Sequence, residues 1–246
     1  MKNILTYLIL IFLISCSSKK QKEKLIGNWY SNSNENYGFV EFQFYNDSLI
    51  IYDEMLGKFS QEWEVNKDKI YLTNIKGLTT KKQLTYSYKL DKSNRFLYLK
   101  ALGDTIIELP KLSKAKNPFD FLKKIFGLKI ELPTKQTKLV RIGFPGNLNF
   151  NIYAGYNKDN KLAVKTDLSS DLNNLENEVI EFKNNSRDEF KNFLRFNLIA
   201  DKNINESQID SIKKILKSTL IKQVYRTYKS KEADYENNLN WFGQKE

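Results

Sequence analysis

The chain predicts two folded domains. The first is an antiparallel all-β meander or small barrel; the second is an α+β sandwich with element order β-β-β-α-β-α-β. Three observations predict this. From Leu25 to about Leu112 apolar and polar residues alternate at period two, the mark of half-buried strands. From Lys138 onward, strand-like runs alternate with segments whose apolar residues recur every three or four positions, the spacing of a helix face. Between them, residues 113–137 form a Lys-rich connector with one short helical pattern.

The chain opens with a short basic start, Met1-Lys2-Asn3, followed by Ile4 to Ile14, apolar except for Thr6 and Tyr7. Leu13-Ile14-Ser15-Cys16 then places a small residue before the only cysteine. Basic, apolar, small and cysteine is the order of a secretory signal. The segment resembles a bacterial lipoprotein signal ending in a lipobox. The resemblance implies cleavage after residue 15, acylation of the Cys16 sulfur and of the new amino terminus, and a lipid-anchored envelope protein. An uncleaved anchor is the competing reading, but the apolar run is about half the roughly 18–20 residues a spanning helix needs. Residues 16–24 then read as a polar, basic tether.

Removing residues 1–15 takes away only the Lys2 charge and lowers the formal net charge from +11 to +10. A basic protein tethered to a bilayer is drawn to anionic headgroups, at about 1 kcal/mol per well-placed Lys or Arg. Nucleic acid is the other partner for such charge. The extracytoplasmic address, and a sequence without an Arg-rich helix or RNP-like aromatic motif, argue against it. With Cys16 lipidated no thiol remains to form a disulfide, and the chain has no histidine. Ser-His-Asp and Cys-His nucleophilic catalysis are thereby excluded, as are the usual zinc sites.

In residues 25–112, Phe42 and Phe44 alternate with Glu41 and Gln43. Phe59, Gln61, Trp63 and Val65 share one face, and Ser60, Glu62 and Glu64 the other. Leu84, Tyr86, Tyr88 and Leu90 alternate with Thr85, Ser87 and Lys89. Turn signals fall at Asn46-Asp47, Asn66-Lys67-Asp68, Asp91-Lys92-Ser93-Asn94 and Gly103-Asp104. Seven or eight short strands follow, with Pro110 ending the last. The first strand carries Gly27-Asn28-Trp29, and a Gly-x-Trp followed by a meander resembles the lipocalin-like domains of many Bacteroidota lipoproteins. The resemblance implies a pocket for a small apolar ligand, with Trp29, Phe42, Phe44, Trp63, Tyr86 and Tyr88 as lining candidates. The alternative is that these large side chains simply fill the interior, as in small barrels.

In the connector, Asn117-Pro118 reads as an N-cap followed by Pro at the first helical position. Phe119, Leu122, Ile125 and Phe126 form a stripe and Gly127 stops the helix. The stripe reads as core packed on the first domain, rather than as a membrane-surface helix.

Residues 138–230 hold strands at about 139–144, 148–155 and 161–166, a helix at 171–183, a strand at 194–200, a helix at 207–216 and a last strand at 221–228. Residues 231–246 read as a loose polar tail, apart from Trp241-Phe242. Phe196 to Asn203, with its Ala200-Asp201 dipeptide, then Ser207 to Lys217 and Ile221 to Val224, resemble the periplasmic domain of the ExbD/TolR biopolymer-transport family. The resemblance implies the soluble fold, a tendency to dimerise, and docking of an envelope protein or peptidoglycan. It does not extend to proton-driven transport, because the one hydrophobic segment is a signal.

No catalytic, metal or cofactor site is nominated. Asp167 and Asp171 read as helix caps. Asp201 to Glu206 lacks the turn glycine and final acid of a calcium loop. Gly143-Phe144-Pro145-Gly146 is a hairpin turn. Ser48 and Thr105, in Asp47-Ser48-Leu49 and Asp104-Thr105-Ile106, resemble Bacteroidota O-glycosylation acceptors; Ser211 matches the same pattern but falls in a helix. The sequence thus points to a non-catalytic lipoprotein, an adaptor or binding module at the outer membrane facing the periplasm. Carriage of a small apolar ligand is the alternative, and a carboxylate-dependent hydrolase comes last.

Overall fold

The computed structural model describes residues 19–33, 38–53, 57–73, 84–142, 148–166, 172–231 and 241–246. The signal segment, Cys16, the Asp167 and Asp171 pair and the 143–146 turn lie outside the described residues. Two compact units are present. The first runs to Ala115, except for residues 32–40 and 53, which group with the second; the second continues from Lys116.

The first unit is built on β1 (Gly27–Ser33), β2 (Gly38–Phe44), β3 (Ser48–Asp53), β4 (Gly57–Asn66), β5 (Lys69–Thr73), β6 (Leu84–Leu90), β7 (Phe96–Leu102), β8 (Ile107–Glu108) and β9 (Leu112–Ala115). Neighbours follow chain order from β1 to β6; β6 also pairs with β7, and β9 bridges β7 to β1. The result is a closed eight-strand antiparallel barrel. Its register sets apolar faces together, with Trp63 opposite Leu72, Val65 opposite Ile70, Ile70 opposite Tyr86 and Tyr88 opposite Leu99. Period-two alternation works here because successive side chains leave a strand on opposite faces.

Two details differ from expectation. Pro110 does not end the last strand. Residues Ile107 and Glu108 pair with Ala101 and Lys100, whereas Leu112 and Ser113 pair with Leu97 and Phe96, so the register slips by one residue around Pro110. A bulge accommodates the missing Pro N–H, and β9 runs on to Ala115 to close the barrel against β1. Nor is the stretch before the barrel a loose tether throughout. Residues 19–25 form a helix, α1, with Leu25 fully buried. Lys, Gln and Glu read as solvated linker, but they are also good helix formers.

The second unit contains α2 (Pro118–Phe126), β10 (Val140–Ile142), β11 (Asn149–Tyr156), β12 (Leu162–Thr166), α3 (Leu175–Asn185), β13 (Arg195–Ala200), α4 (Glu206–Ser218), β14 (Gln223–Thr227) and β15 (Trp241–Lys245). The mixed sheet has order β10-β15-β14-β13-β11-β12. The pairs β11/β13 and β13/β14 are parallel, each joined through a helix, and the others are antiparallel. On one face Phe150, Ile152, Phe196, Leu198 and Val224 pack with Leu175 and Val179 of α3 and Ile209, Ile212 and Leu216 of α4.

The tail is a further correction. Rather than hanging loose, β15 fills the place between β10 and β14, and Trp241 and Phe242 are buried. Its one apolar dipeptide sits among polar residues, too short a pattern to announce a strand.

The helix of the connector forms as expected. Asn117 Oδ1 accepts from the Asp120 N–H at 2.9 Å, and Gly127 takes a left-handed φ of 66°. Its packing is not as expected. The rings of Phe126 and Tyr153 lie 5.0 Å apart and those of Phe119 and Trp241 5.9 Å apart, so α2 packs on the second sheet. Residues 128–134 continue along that unit. The backbones of Lys129 and Tyr156 bond reciprocally, and Lys229 N–H donates to Pro133. A Cβ on Gly155 would lie 2.6 Å from the Lys129 carbonyl oxygen, so only glycine admits this crossing.

Candidate functional site

The first place to look for a ligand is the barrel interior. Gly27, with a φ of 121°, turns the chain from α1 into β1 in a conformation that side chains resist. Two residues on, Trp29 is fully buried, and its Nε1 donates to the Leu25 carbonyl at 2.7 Å. The helix end and the strand start are thus joined by one indole. Trp63 works alike, donating from Nε1 to the Tyr45 carbonyl at 2.8 Å while Lys22 Nζ of α1 lies 4.7 Å from its ring centroid.

The other candidates collect around these two. Phe44 meets Trp63 edge to face at 4.8 Å, and Phe42 stacks on Phe44 at 6.2 Å. Such pairs hold each other in fixed orientations as well as excluding water. Phe42, Phe44 and Trp63 are each at most 4 % exposed. Tyr86 and Tyr88 are half-buried on the same inward face, and burial raises both phenol pKa values, aided at Tyr88 by the charge of Asp68. Aromatic rings thus meet one another on the inward face of this barrel.

A cleft of about 460 Å³ lies at the barrel wall, lined by Asp47, Ser48, Gln61, Glu62, Glu64 and Thr73, among others. Glu62 and Glu64 stand two apart on β4 and share its outward face. Carboxylates, hydroxyls and a lysine line it beside one indole, unlike the mostly apolar pocket a lipid-like ligand selects.

On the outer side of β1 and β2 sits a buried polar group that the period-two reading missed. Glu41 and Gln43 are both 1 % exposed, and Gln43 Nε2 donates to Glu41 Oε1 at 2.8 Å. Tyr30 is fully buried near the same carboxylate, and its pKa is raised well above the ordinary value by burial first and by the charge of Glu41 second. Their alternation with Phe42 and Phe44 looked like a solvated face.

The second unit has its own buried polar row. Asn197 Nδ2 donates to Asn151 Oδ1 at 3.0 Å, and Thr227 Oγ1 donates to Asn197 Oδ1. These link β11, β13 and β14 on the face toward α2. A polar residue between apolar ones in Phe150-Asn151-Ile152 and Phe196-Asn197-Leu198 was the available signal. Asp201, 2 % exposed, holds the end of β13. Its Oδ2 accepts from the Glu131 N–H at 2.7 Å, and its Oδ1 accepts from the Asn203 N–H and Nδ2 at 2.9 Å. The Ala200-Asp201 dipeptide is thus a latch between the strand and the 128–134 segment. Buried Glu178 accepts from Thr166 Oγ1, tying α3 to β12.

Among the described residues no three His, Cys, Asp or Glu side chains converge as a metal site. Ser48 is half-buried at the start of β3, whereas Thr105 is exposed between β7 and β8. Ser211 lies within α4 and donates to the Ser207 carbonyl at 2.9 Å. Among the described residues no helix is long and apolar enough to cross a membrane.

Comparison of the chain with protein-family models, curated proteins and solved structures finds no match. The closed eight-strand barrel is loosely compatible with a lipocalin-like domain.

Proposed function

We propose that this protein is a non-catalytic envelope lipoprotein, anchored through acylated Cys16, whose two units form separate domains that dock a protein partner or peptidoglycan. The observation that carries the adaptor reading is the packing of the barrel interior. Trp29, Phe42, Phe44 and Trp63 are buried against one another or against the closing helix, as in a barrel used as a scaffold. The Cys16 anchor and the outer-membrane, periplasm-facing address rest on the order of residues 1–16. The ExbD/TolR-like reading of the second domain is supported by its β-α-β-α-β succession through β12, α3, β13, α4 and β14. Dimerisation through that domain belongs to the same reading.

Crosslinking in intact cells, with the anchor in place, tests the adaptor role. A specific envelope protein or wall fragment is the expected capture. Recovery of lipid-embedded neighbours alone would sink it. Native mass spectrometry of the same preparation tests the carrier alternative, since a stoichiometric small apolar molecule released on unfolding would favour a ligand over a scaffold.

A further inference from the structure

We infer that one end of the second unit, made by the 3-10 helix Asp188–Phe193 and the turn between α4 and β14, docks on an anionic lipid surface. Phe190, Phe193 and Leu220 enter the headgroup layer, while Arg187, Lys217 and Lys222 meet the phosphates. The inference rests on the tethered-lipoprotein reading for the nearness of a bilayer.

The two loops belong to one edge. Each precedes a strand of the parallel pair β13/β14, in which Arg195 stands opposite Gln223. Gln223 Nε2 also donates to the Asn192 carbonyl at 3.0 Å, which joins the loops directly. In a 3-10 helix positions three apart eclipse, so Phe190 and Phe193 lie on one side. They are 40 % and 59 % exposed, and Leu220 is 76 % exposed.

Leu220 is the most telling of the three. Its φ is 65°, in the left-handed region just past the end of α4. Helices commonly end there in Gly or Asn, because a Cβ is disfavoured. The leucine is therefore unfavourable for its backbone and contributes little to the core. A bulky apolar side chain kept at such a site is explained by something outside the chain.

Charge selects the occupant. Residues 187–193 and 217–222 carry Arg187, Lys191, Lys217 and Lys222 against Asp188 and Glu189. Asp188 is already paired with Lys191 at 2.6 Å. Arg187, Lys217 and Lys222 are exposed. Lys183 adds a further cation, with its Nζ on the Thr219 carbonyl at 3.3 Å. Aromatic and aliphatic tips rimmed by lysine and arginine are the chemistry of an interfacial anchor on anionic lipid.

The test uses the full chain with Cys16→Ser, so that failure of acylation and failure of this surface are distinguishable. Phe193→Trp is made in that background and mixed with vesicles of brominated phosphatidylcholine, with or without phosphatidylglycerol. Bromine quenching of the added fluorescence is expected only with phosphatidylglycerol, and it should persist when residues 1–15 are removed, which separates this surface from insertion of that apolar run. Leu220→Asn should weaken that partition by about tenfold, the effect of withdrawing one leucine side chain from lipid, while leaving thermal stability equal or higher. An unquenched indole on anionic vesicles would overturn the proposal. So would equal quenching without phosphatidylglycerol, or unchanged partition of Leu220→Asn. Release of the quenching by an acidic polypeptide at physiological salt would instead assign the surface to a protein partner and overturn the lipid.

Discussion

Leu220 and Asp91 illustrate how single residues depart from what their type suggests. Leu220 occupies a left-handed turn position with most of its surface in water. Leu220→Gly should therefore raise stability by about 1 kcal/mol, the cost of a Cβ in that region, as read by chemical denaturation. Asp91 begins the turn between β6 and β7. Its carboxylate accepts from Ser93 Oγ and from the backbone N–H groups of Phe96 at 2.7 Å and Arg95 at 2.6 Å. The Ser93 bond is the largest cause, and with the others it lowers the carboxyl pKa to about 2. Because the folded value lies below the unfolded one, the stabilisation is fully present above about pH 4. It is lost as pH falls toward 2. Proton exchange of the β6–β7 hairpin amides should accelerate across that window in the wild type, beyond the intrinsic pH trend. In Asp91→Asn the hairpin should be looser throughout, with no such step.

At the scale of elements, the packing of α2 and β15 decides what the second unit needs. Trp241 is 1 % exposed on the strand that joins β10 to β14, and Phe119 lies against its ring. Trp241→Ala should destabilise this unit by about 3–5 kcal/mol, as for other buried aromatic residues cut to Ala. Phe126→Asp, replacing the ring beside Tyr153, should cost about 2–4 kcal/mol. In both variants hydrogen exchange should rise across residues 116–246 while the barrel strands keep their protection. Loss of protection in β4 to β7 instead would mean that α2 serves the barrel.

These two elements also mark where reading the sequence stops. The strands with Phe42, Trp63 and Tyr86 were legible because alternation is a local property of a half-buried strand. The Asn117 cap and Gly127 stop were legible for the same reason: both act within one helical turn. Which surface α2 covers is set by Tyr153 and Trp241, far along the chain, and no local spacing encodes it. Neither does spacing encode β15, whose partners β10 and β14 were already in place before it. Glu41 and Gln43 were hidden by the opposite error, since polar residues alternating with Phe imply solvent unless a long-range partner buries them. In the candidate site, the aromatic residues were readable one by one, but whether they line a cavity or fill it is a property of the closed barrel.

For the whole molecule, on the proposed scaffold reading, the aromatic residues of the closed barrel are filling that makes it a rigid body. Trp63→Ala should therefore destabilise the barrel by about 3–5 kcal/mol, observed as a lower unfolding midpoint, without creating or removing binding of a lipophilic dye in the folded protein. On the proposed adaptor reading, function depends on where the body is held, and that in turn on acylation of Cys16. The most direct measurement is metabolic labelling with a clickable fatty-acid analogue, comparing wild type with Cys16→Ser in the cell fractions. The wild type should carry label and sediment with membranes, and Cys16→Ser should carry none. Equal labelling of the two, or an unlabelled wild type in the soluble fraction, would contradict the account.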